Sequence, residues 1–477
     1  MALQVENVTF AYTKGGRPVL QEVSARFEKD RITVLTGASG CGKSTLLYLM
    51  AGIYPNDTGF LRGGQVRLDG ENPSAWTPPE RCAHVGMMFQ NPELQFCMDT
   101  VENELIFCLE NRQVPPGEIP GRMDGALEFC GISALKKRTL LSRSGGERQK
   151  VMLACVTALQ SQWLLLDEPF ANVDEKSAAE IAGKLRRLHK ERGVGIVAVD
   201  HRLDHWLAAA DEIRVMEEGK IDPQGYPVGS LSPDWLEKKG IVVPGRLYRE
   251  PLLPRKGGEI ALSLRDVSIT LGEKPIAREL SARFACGQVH ALLGESGCGK
   301  STLFGAITGT VPYGGEICAG GYSLKKRRRL PVGLLGLVTQ NPQDQFVFDT
   351  VYDEVYKSLL AKGEQQAAET AQRILRENQL WRYRDLSPYM LSQGQQRRLG
   401  VAALTAYDCR VLLCDEPTYA QDRRNTIAIL EGLVRQVEEK GLCLIFSTHD
   451  RMLAESYADQ IWHMEGGKLY AQTGSRV

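Results

Sequence analysis

The sequence predicts an α/β protein made of two tandem units, each with a mainly parallel sheet at its core. Three observations predict it. The chain has 477 residues, which at roughly 150 residues per domain implies more than one domain. Long segments recur in the same order at a nearly constant offset, so the chain is a tandem duplication. Within each copy, short apolar runs of strand length alternate with helical stretches, the pattern of strands covered by helices on both faces.

The repeat can be followed motif by motif. Gly37-Ala38-Ser39-Gly40-Cys41-Gly42-Lys43-Ser44-Thr45-Leu46 returns as Gly294-Glu295-Ser296-Gly297-Cys298-Gly299-Lys300-Ser301-Thr302-Leu303. Gln90-Asn91-Pro92 returns as Gln340-Asn341-Pro342, Asp167-Glu168-Pro169 as Asp415-Glu416-Pro417, and His201 as His449. The units are expected over 1–231 and 259–477. The Pro- and Gly-punctuated stretch 232–258 between them reads as a linker. Buried strands are expected at 32–36, 163–166 and 195–199, and again at 289–293, 411–414 and 443–447. Helices are expected at 178–191 and 364–378.

Composition narrows the class. Lys plus Arg and Asp plus Glu both total 58, giving zero net charge. That balance argues against a chain whose task is coating nucleic acid. No run reaches the 18 or so apolar residues of a membrane span. The first residues carry no basic stretch followed by an apolar one, so no signal peptide is expected. The 12 cysteines form no CxxC pair and read as reduced, small apolar residues. Lys325-Lys326-Arg327-Arg328-Arg329 is the one strong charge run, and reads first as a solvated loop.

The glycine loops match G-x-x-x-x-G-K-[ST] twice, each between an expected strand and helix, the context in which this P-loop pattern binds phosphate. Backbone N–H groups released by Gly37, Gly40 and Gly42, and by Gly294, Gly297 and Gly299, can approach phosphate oxygens at a helix N-terminus. Lys43 and Lys300 are expected on the β- and γ-phosphates, with Ser44 and Ser301 as Mg²⁺ ligands and Thr45 and Thr302 beside them in the cradle. Asp167 and Asp415 end apolar strands and fit the Mg²⁺ carboxylate. Glu168 and Glu416 follow at once, placed to polarise an attacking water.

These motifs resemble the ATP-binding cassette (ABC) ATPases. Arg143-Ser144-Gly145-Gly146-Glu147 and Leu391-Ser392-Gln393-Gly394-Gln395 look like that family's signature loop. Gln90 and Gln340 resemble its Q-loop, His201 and His449 its switch histidine, and Val173-Asp174 and Gln421-Asp422 its D-loop. The resemblance covers nearly the whole chain. It implies two P-loop NTPase domains of ABC type, each with a helical subdomain, that bind ATP and Mg²⁺, with Gln90 and Gln340 touching both nucleotide and metal. It also implies that the two domains pair head to tail. One site would join Lys43, Gln90, Glu168 and His201 to Ser392 and Gly394; the other would join Lys300, Gln340, Glu416 and His449 to Ser144 and Gly146. Gln393, Arg143 and Glu147 depart from the usual signature, but its Ser and following Gly survive in both copies. Tyr12 suits an aromatic that stacks on adenine, whereas the aligned position in the second unit is Leu271.

A narrower resemblance follows from Gln90-Asn91-Pro92-Glu93-Leu94-Gln95-Phe96 and Gln340-Asn341-Pro342-Gln343-Asp344-Gln345-Phe346, each followed by Asp-Thr-Val and acidic residues. This block looks like the ATPases of energy-coupling factor (ECF) transporters, here with two cassettes fused. The resemblance implies a peripheral subunit on the cytoplasmic face of the membrane, driving vitamin or metal-ion uptake. Its partners would be a transmembrane coupling subunit and a substrate-binding subunit. Glu93, Glu102, Glu104, Asp344, Asp353 and Glu354 are expected to present negative charge to a basic helix of that membrane partner. Two alternatives stay open: the twin-cassette ATPase of another importer, such as the sugar class, and a soluble ABC protein of translation or DNA repair.

Overall fold

The computed structural model describes residues 2–89, 95–140, 145–170, 173, 175–243, 245–251, 253–325, 330–419 and 421–472. It divides into two compact units, Met1–Pro244 and Gly245–Val477.

The first unit is built on a sheet whose strands Glu212–Glu217, Ile32–Thr36, Gly195–Val199, Trp163–Asp167 and Val85–Met88 run parallel in that order, with the short strands Tyr226–Pro227 and Lys220–Ile221 antiparallel beside Glu212–Glu217. These strands are apolar on both faces because both faces are covered. Side chains alternate along each strand. Ile32, Val34, Leu164, Leu166, Ile196 and Ala198 join a core with the helices. Leu35, Trp163, Leu165, Val197 and Val199 face the other way. There they meet the helix Lys43–Met50 and an antiparallel sheet of Leu20–Glu28, Ala2–Ala11 and Phe60–Leu68. The helices Val101–Asn111, Ile119–Cys130 and Gly145–Ala158 form the helical part.

The second unit repeats this plan. Its central strands are Leu335–Val338, Val411–Cys414, Cys443–Thr448, Val289–Leu293 and Gln460–Glu465, again parallel in that order. An antiparallel sheet holds Lys274–Ala285, Ile260–Leu271 and Gly314–Ala319. The helices Val351–Lys362, Ala367–Glu377 and Gln393–Tyr407 share a core of their own around Val355, Ala371, Leu375 and Leu399.

The expected strands recur within a residue of their predicted ends. The helix expected at 178–191 extends over Glu175–Arg192. The helix expected to begin at 364 begins at Ala367 instead. Gly363, left-handed at φ 86°, caps the preceding helix, so 364–366 is spent on the turn.

Parts of the stretch 232–258 pack against the unit they adjoin. Ser232 accepts a hydrogen bond from the Trp235 N–H at 3.2 Å and Pro233 opens the helix Pro233–Lys238, where a missing N–H costs nothing. Leu236, Ile241 and Val243 are buried in the first unit's core. Beyond the division, Arg255 is fixed to the second unit. Its guanidinium and its N–H both reach Asp459. Between these anchored points the chain is exposed at Pro251, Leu253, Pro254, Gly257 and Gly258.

Asp459 also accepts the Val289 N–H at 2.7 Å, at the start of the P-loop strand. In the first unit Asp211 accepts the Ile32 N–H at 2.9 Å and pairs with Arg186. Each P-loop strand is thus seated by one aspartate at its first residue. Asp459→Ala leaves a buried N–H and a mostly buried guanidinium short of a partner, and is expected to destabilise the second unit by about 3 kcal/mol. Amide hydrogen exchange should report faster opening of amides in the second unit with those of the first unchanged.

Candidate functional site

Both candidate sites lie at the carboxyl edge of a parallel sheet, where the central strand turns into a helix. Backbone crowding explains the first glycine of each loop. A Cβ on Gly37 would stand 2.1 Å from the Met216 carbonyl oxygen, and one on Gly294 2.6 Å from that of Met464. Gly42 and Gly299 are left-handed N-caps of the helices Lys43–Met50 and Lys300–Thr308. A Cβ on Gly40 or Gly297 would meet nothing within 4 Å, so these residues border the open side of the turn. Lys43 is buried, and its ammonium donates to the carbonyls of Gly37 and Ala38, both at 2.9 Å. Lys300 donates to Gly294 at 2.7 Å and Glu295 at 3.0 Å and lies 3.6 Å from a Glu416 oxygen. An incoming phosphate exchanges these neutral acceptors for charged ones, which are stronger.

The hydroxyls and carboxylates named from sequence meet. Ser44 hydrogen-bonds to Asp167, and Ser301 to Asp415. Burial, then the neighbouring Glu168, pushes Asp167 up to about 7. Its Oδ1 is buried without a hydrogen-bond partner. A hydroxyl beside a buried carboxylate suits a hard divalent cation, so Ser44 with Asp167, whose Oδ1 is left without a partner, and Ser301 with Asp415 fit the expected Mg²⁺. Two further side chains bear on the carboxylates. The Tyr48 hydroxyl donates to Asp167 Oδ2 at 3.5 Å. In the second unit Ser447 Oγ donates to Asp415 Oδ1 at 2.6 Å and accepts the Glu416 N–H at 2.9 Å.

Glu168 and Glu416 are left-handed, at φ 50° and 47°. Such a conformation costs a non-glycine residue about 1–3 kcal/mol and recurs at functional sites. It turns each carboxylate onto a histidine: His201 Nε2 lies 3.1 Å from Glu168 Oε1, and His449 Nδ1 lies 3.1 Å from Glu416 Oε2. Burial raises Glu416, but His449 and then Lys300 outweigh it and hold the carboxyl below its usual range. Gln149, fully buried, donates to the Glu168 carbonyl at 3.0 Å.

Lys43, Ser44, Thr45, Asp167, Glu168 and His201 therefore belong to one cluster, and Lys300, Ser301, Asp415, Glu416 and His449 to another. Thr302 lies in the first turn of its helix. Tyr12 hydrogen-bonds through its hydroxyl to Thr45 at 2.8 Å, and packs edge-on against Phe10 and Tyr54. Tyr12 and Leu271 are equally exposed, at 44%, so an aromatic face in one unit is matched by an aliphatic one in the other. Ser392 caps the helix Gln393–Tyr407 by accepting the Gln395 N–H, and Gly394 lies in its first turn. Gly146 lies in the first turn of Gly145–Ala158. Gln340 lies in the exposed loop after Leu335–Val338. Gln90, Glu93, Ser144, Asp174 and the run 326–329 lie outside the described residues.

The acidic block requires a correction. Glu104 and Glu354 do not present charge outward: both are buried. Glu104 accepts the N–H groups of Cys97 and Met98, at 2.9 and 2.8 Å, and Glu354 those of Val347 and Phe348, both at 2.6 Å. Nearby, Gln95 bridges the Phe89 N–H and the Met87 carbonyl, and Gln345 accepts the Thr339 N–H. Orphan backbone donors in the loop are satisfied by these side chains, so this part of the motif is loop architecture. Tyr48, Ser447 and Gln149 were not singled out from sequence. Ser447, two residues before the switch histidine, was the most readable of the three.

Comparison with known proteins agrees with this geometry. The ABC transporter family profile matches residues 20–171 and 277–419. A Bacillus subtilis (strain 168) chain named as an HMP/thiamine import ATP-binding protein is 34% identical, over 96% of this chain and 89% of its own. A Methanosarcina acetivorans chain named as an ABC transporter ATP-binding protein is 29% identical, over 99% and 90%. The archaeal ribosome recycling factor aABCE1, solved with the ribosomal stalk protein aP1, superposes with a TM-score of 0.64 at 18% identity, covering 97% and 89%. At that identity the likeness is one of fold.

Two predictions follow from the site. Glu168→Gln with Glu416→Gln should abolish turnover while ATP still binds, because the phosphate cradles are untouched; undiminished steady-state hydrolysis would remove both carboxylates from the chemistry. Stacking on a base is worth about 1–3 kcal/mol, so Tyr12→Ala should weaken nucleotide binding at one site about tenfold and Leu271→Tyr should tighten the other. Titrations in Lys300→Ala and Lys43→Ala chains, respectively, read one site at a time.

Proposed function

We propose, from the premise that this chain belongs to the ABC transporter family, that it is the ATP-hydrolysing motor of an ECF-type importer of vitamins or metal ions. The chain is an ABC-type ATP hydrolase of a transporter; the importer type and the membrane subunits are the proposed part. The observation that carries the reading is the 34% identity to a chain named for HMP/thiamine import, extending through both cassettes. Both copies of the Q-N-P-x-x-Q-F block lie in that shared length. Among the described residues no helix is long and apolar enough to cross a membrane. Glu102, Asp344 and Asp353, unlike Glu104 and Glu354, are not buried; Glu102 pairs with Lys136 at 3.8 Å and Asp353 with Lys357 at 3.5 Å, surface pairs that a basic partner helix would have to displace.

The proposed chemistry is positioning and electrostatics, with no covalent intermediate. Lys43 and Lys300 neutralise the terminal phosphates. Glu168 and Glu416 accept hydrogen bonds from the attacking water and draw its proton, while His201 and His449 hold those carboxylates in place. Mg²⁺, held by Ser44 with Asp167 and by Ser301 with Asp415, would supply positive charge on the β- and γ-phosphates. Head-to-tail pairing would complete each site with Ser392 and Gly394, or Ser144 and Gly146, so that ATP bridges the halves and hydrolysis releases them.

Affinity purification of the chain from detergent-solubilised membranes should recover a transmembrane coupling subunit together with a small substrate-binding membrane protein. Recovery of ribosomes or DNA with no membrane protein would overturn the importer reading.

A further inference from the structure

The segment between the two units is fastened beside a switch histidine in each. In the first unit Arg202, which follows His201, forms a parallel bridge with Val242. In the second unit Tyr248 is buried, its N–H donates to Ser456 Oγ at 2.9 Å, and its hydroxyl donates to Asp450 Oδ2 at 3.0 Å. Asp450 follows His449. Its other oxygen accepts the Leu453 N–H at 3.1 Å and so caps the helix Arg451–Tyr457. The guanidinium of Arg423 stacks 4.9 Å from the Tyr248 ring centroid and donates to the Leu247 carbonyl at 2.7 Å. Arg423 opens the helix that follows the D-loop position Asp422.

The two histidine loops are held differently. In the first, buried Asp200 accepts the Arg202 N–H at 3.0 Å and the Trp206 indole N–H at 2.8 Å, and the His201 side chain is 10% exposed. In the second, Thr448 takes the place of Asp200, its Oγ1 accepts the Asp450 N–H at 3.0 Å, and the His449 side chain is 42% exposed. An imidazole that exposed gains less from burial, so its aim at Glu416 depends more on the backbone that carries it. Asp450 fixes that backbone, and Tyr248 fixes Asp450 from outside the cassette motifs.

We propose that Tyr248 is a positioning residue for ATP hydrolysis at the second site, acting through Asp450 on the His449–Glu416 pair, which makes the inter-unit segment part of the catalytic machinery. The inference rests on the reading of His449 and Glu416 given above. Tyr248→Phe removes the hydroxyl and keeps the packed ring.

The test uses the full chain carrying Glu168→Gln, so that turnover reports the second site while the first still binds ATP. Tyr248→Phe should lower kcat about tenfold, as small misplacements of a catalytic group do, with KM for ATP unchanged. His449→Ala should lower kcat on its own, and adding Tyr248→Phe to it should cost nothing more. Should the phenylalanine variant fail to fold, Asp450→Asn, which keeps an oxygen for the helix cap, is expected to give the same split. Unchanged kcat, a raised KM with kcat kept, or an undiminished loss in the His449→Ala background would each overturn the proposal. Full activity of His449→Ala would instead overturn the reading of the site on which it rests.

Discussion

Each unit confines a lysine and two carboxylates at the carboxyl edge of its parallel sheet, and the rest of the structure accommodates that buried charge. An isolated charge in such a place is prohibitively costly, so every one must be matched. Lys43 and Lys300 are matched by the carbonyls of their own loops. Those carbonyls converge only because the chain turns sharply at Gly37 and Gly294, pressed against a neighbouring strand. Glu168 and Glu416 are matched by histidines from the next strand's loop, at the cost of a left-handed backbone. Carboxylates pushed together and an ammonium held by neutral oxygens are conditions that a phosphate chain with a divalent cation would relieve.

Much of this was legible in the sequence because it depends on local pattern. The P-loops, the Asp-Glu strand ends and the switch histidines are short motifs with fixed neighbours, and duplication supplied an internal check on each. What was not legible depends on tertiary contacts. Nothing in a helix pattern marks Tyr48 as the residue whose hydroxyl reaches Asp167, and nothing marks Asp211 and Asp459 as the seats of the P-loop strands. Glu104 and Glu354 misled for a related reason: an acidic residue in a helix's first turn reads as exposed charge, yet each folds back onto N–H groups of its own loop. In the stretch 232–258, the burial of Leu236, Ile241, Val243 and Tyr248 was not legible either, because Pro and Gly punctuation carries no sign of which neighbouring residues pack.

The two units share a plan but not its details. Around the first site Phe10, Tyr12, Tyr48, Tyr54 and Phe89 form a connected set of aromatic rings. At the matching positions the second unit has Ile269, Leu271, Gly305, Val311 and Thr339. Asp167 is steadied by Tyr48 in one unit and Asp415 by Ser447 in the other. One histidine loop is held by Asp200 together with the Trp206 indole, the other by Thr448 and, from the joining segment, by Tyr248.

The central claim is that both phosphate cradles are complete. Native mass spectrometry of the full chain carrying Glu168→Gln and Glu416→Gln, with ATP and Mg²⁺, tests it by counting bound nucleotides. The account predicts two per chain, falling to one when either Lys43→Ala or Lys300→Ala is added. A single nucleotide per chain before either lysine is replaced would contradict it.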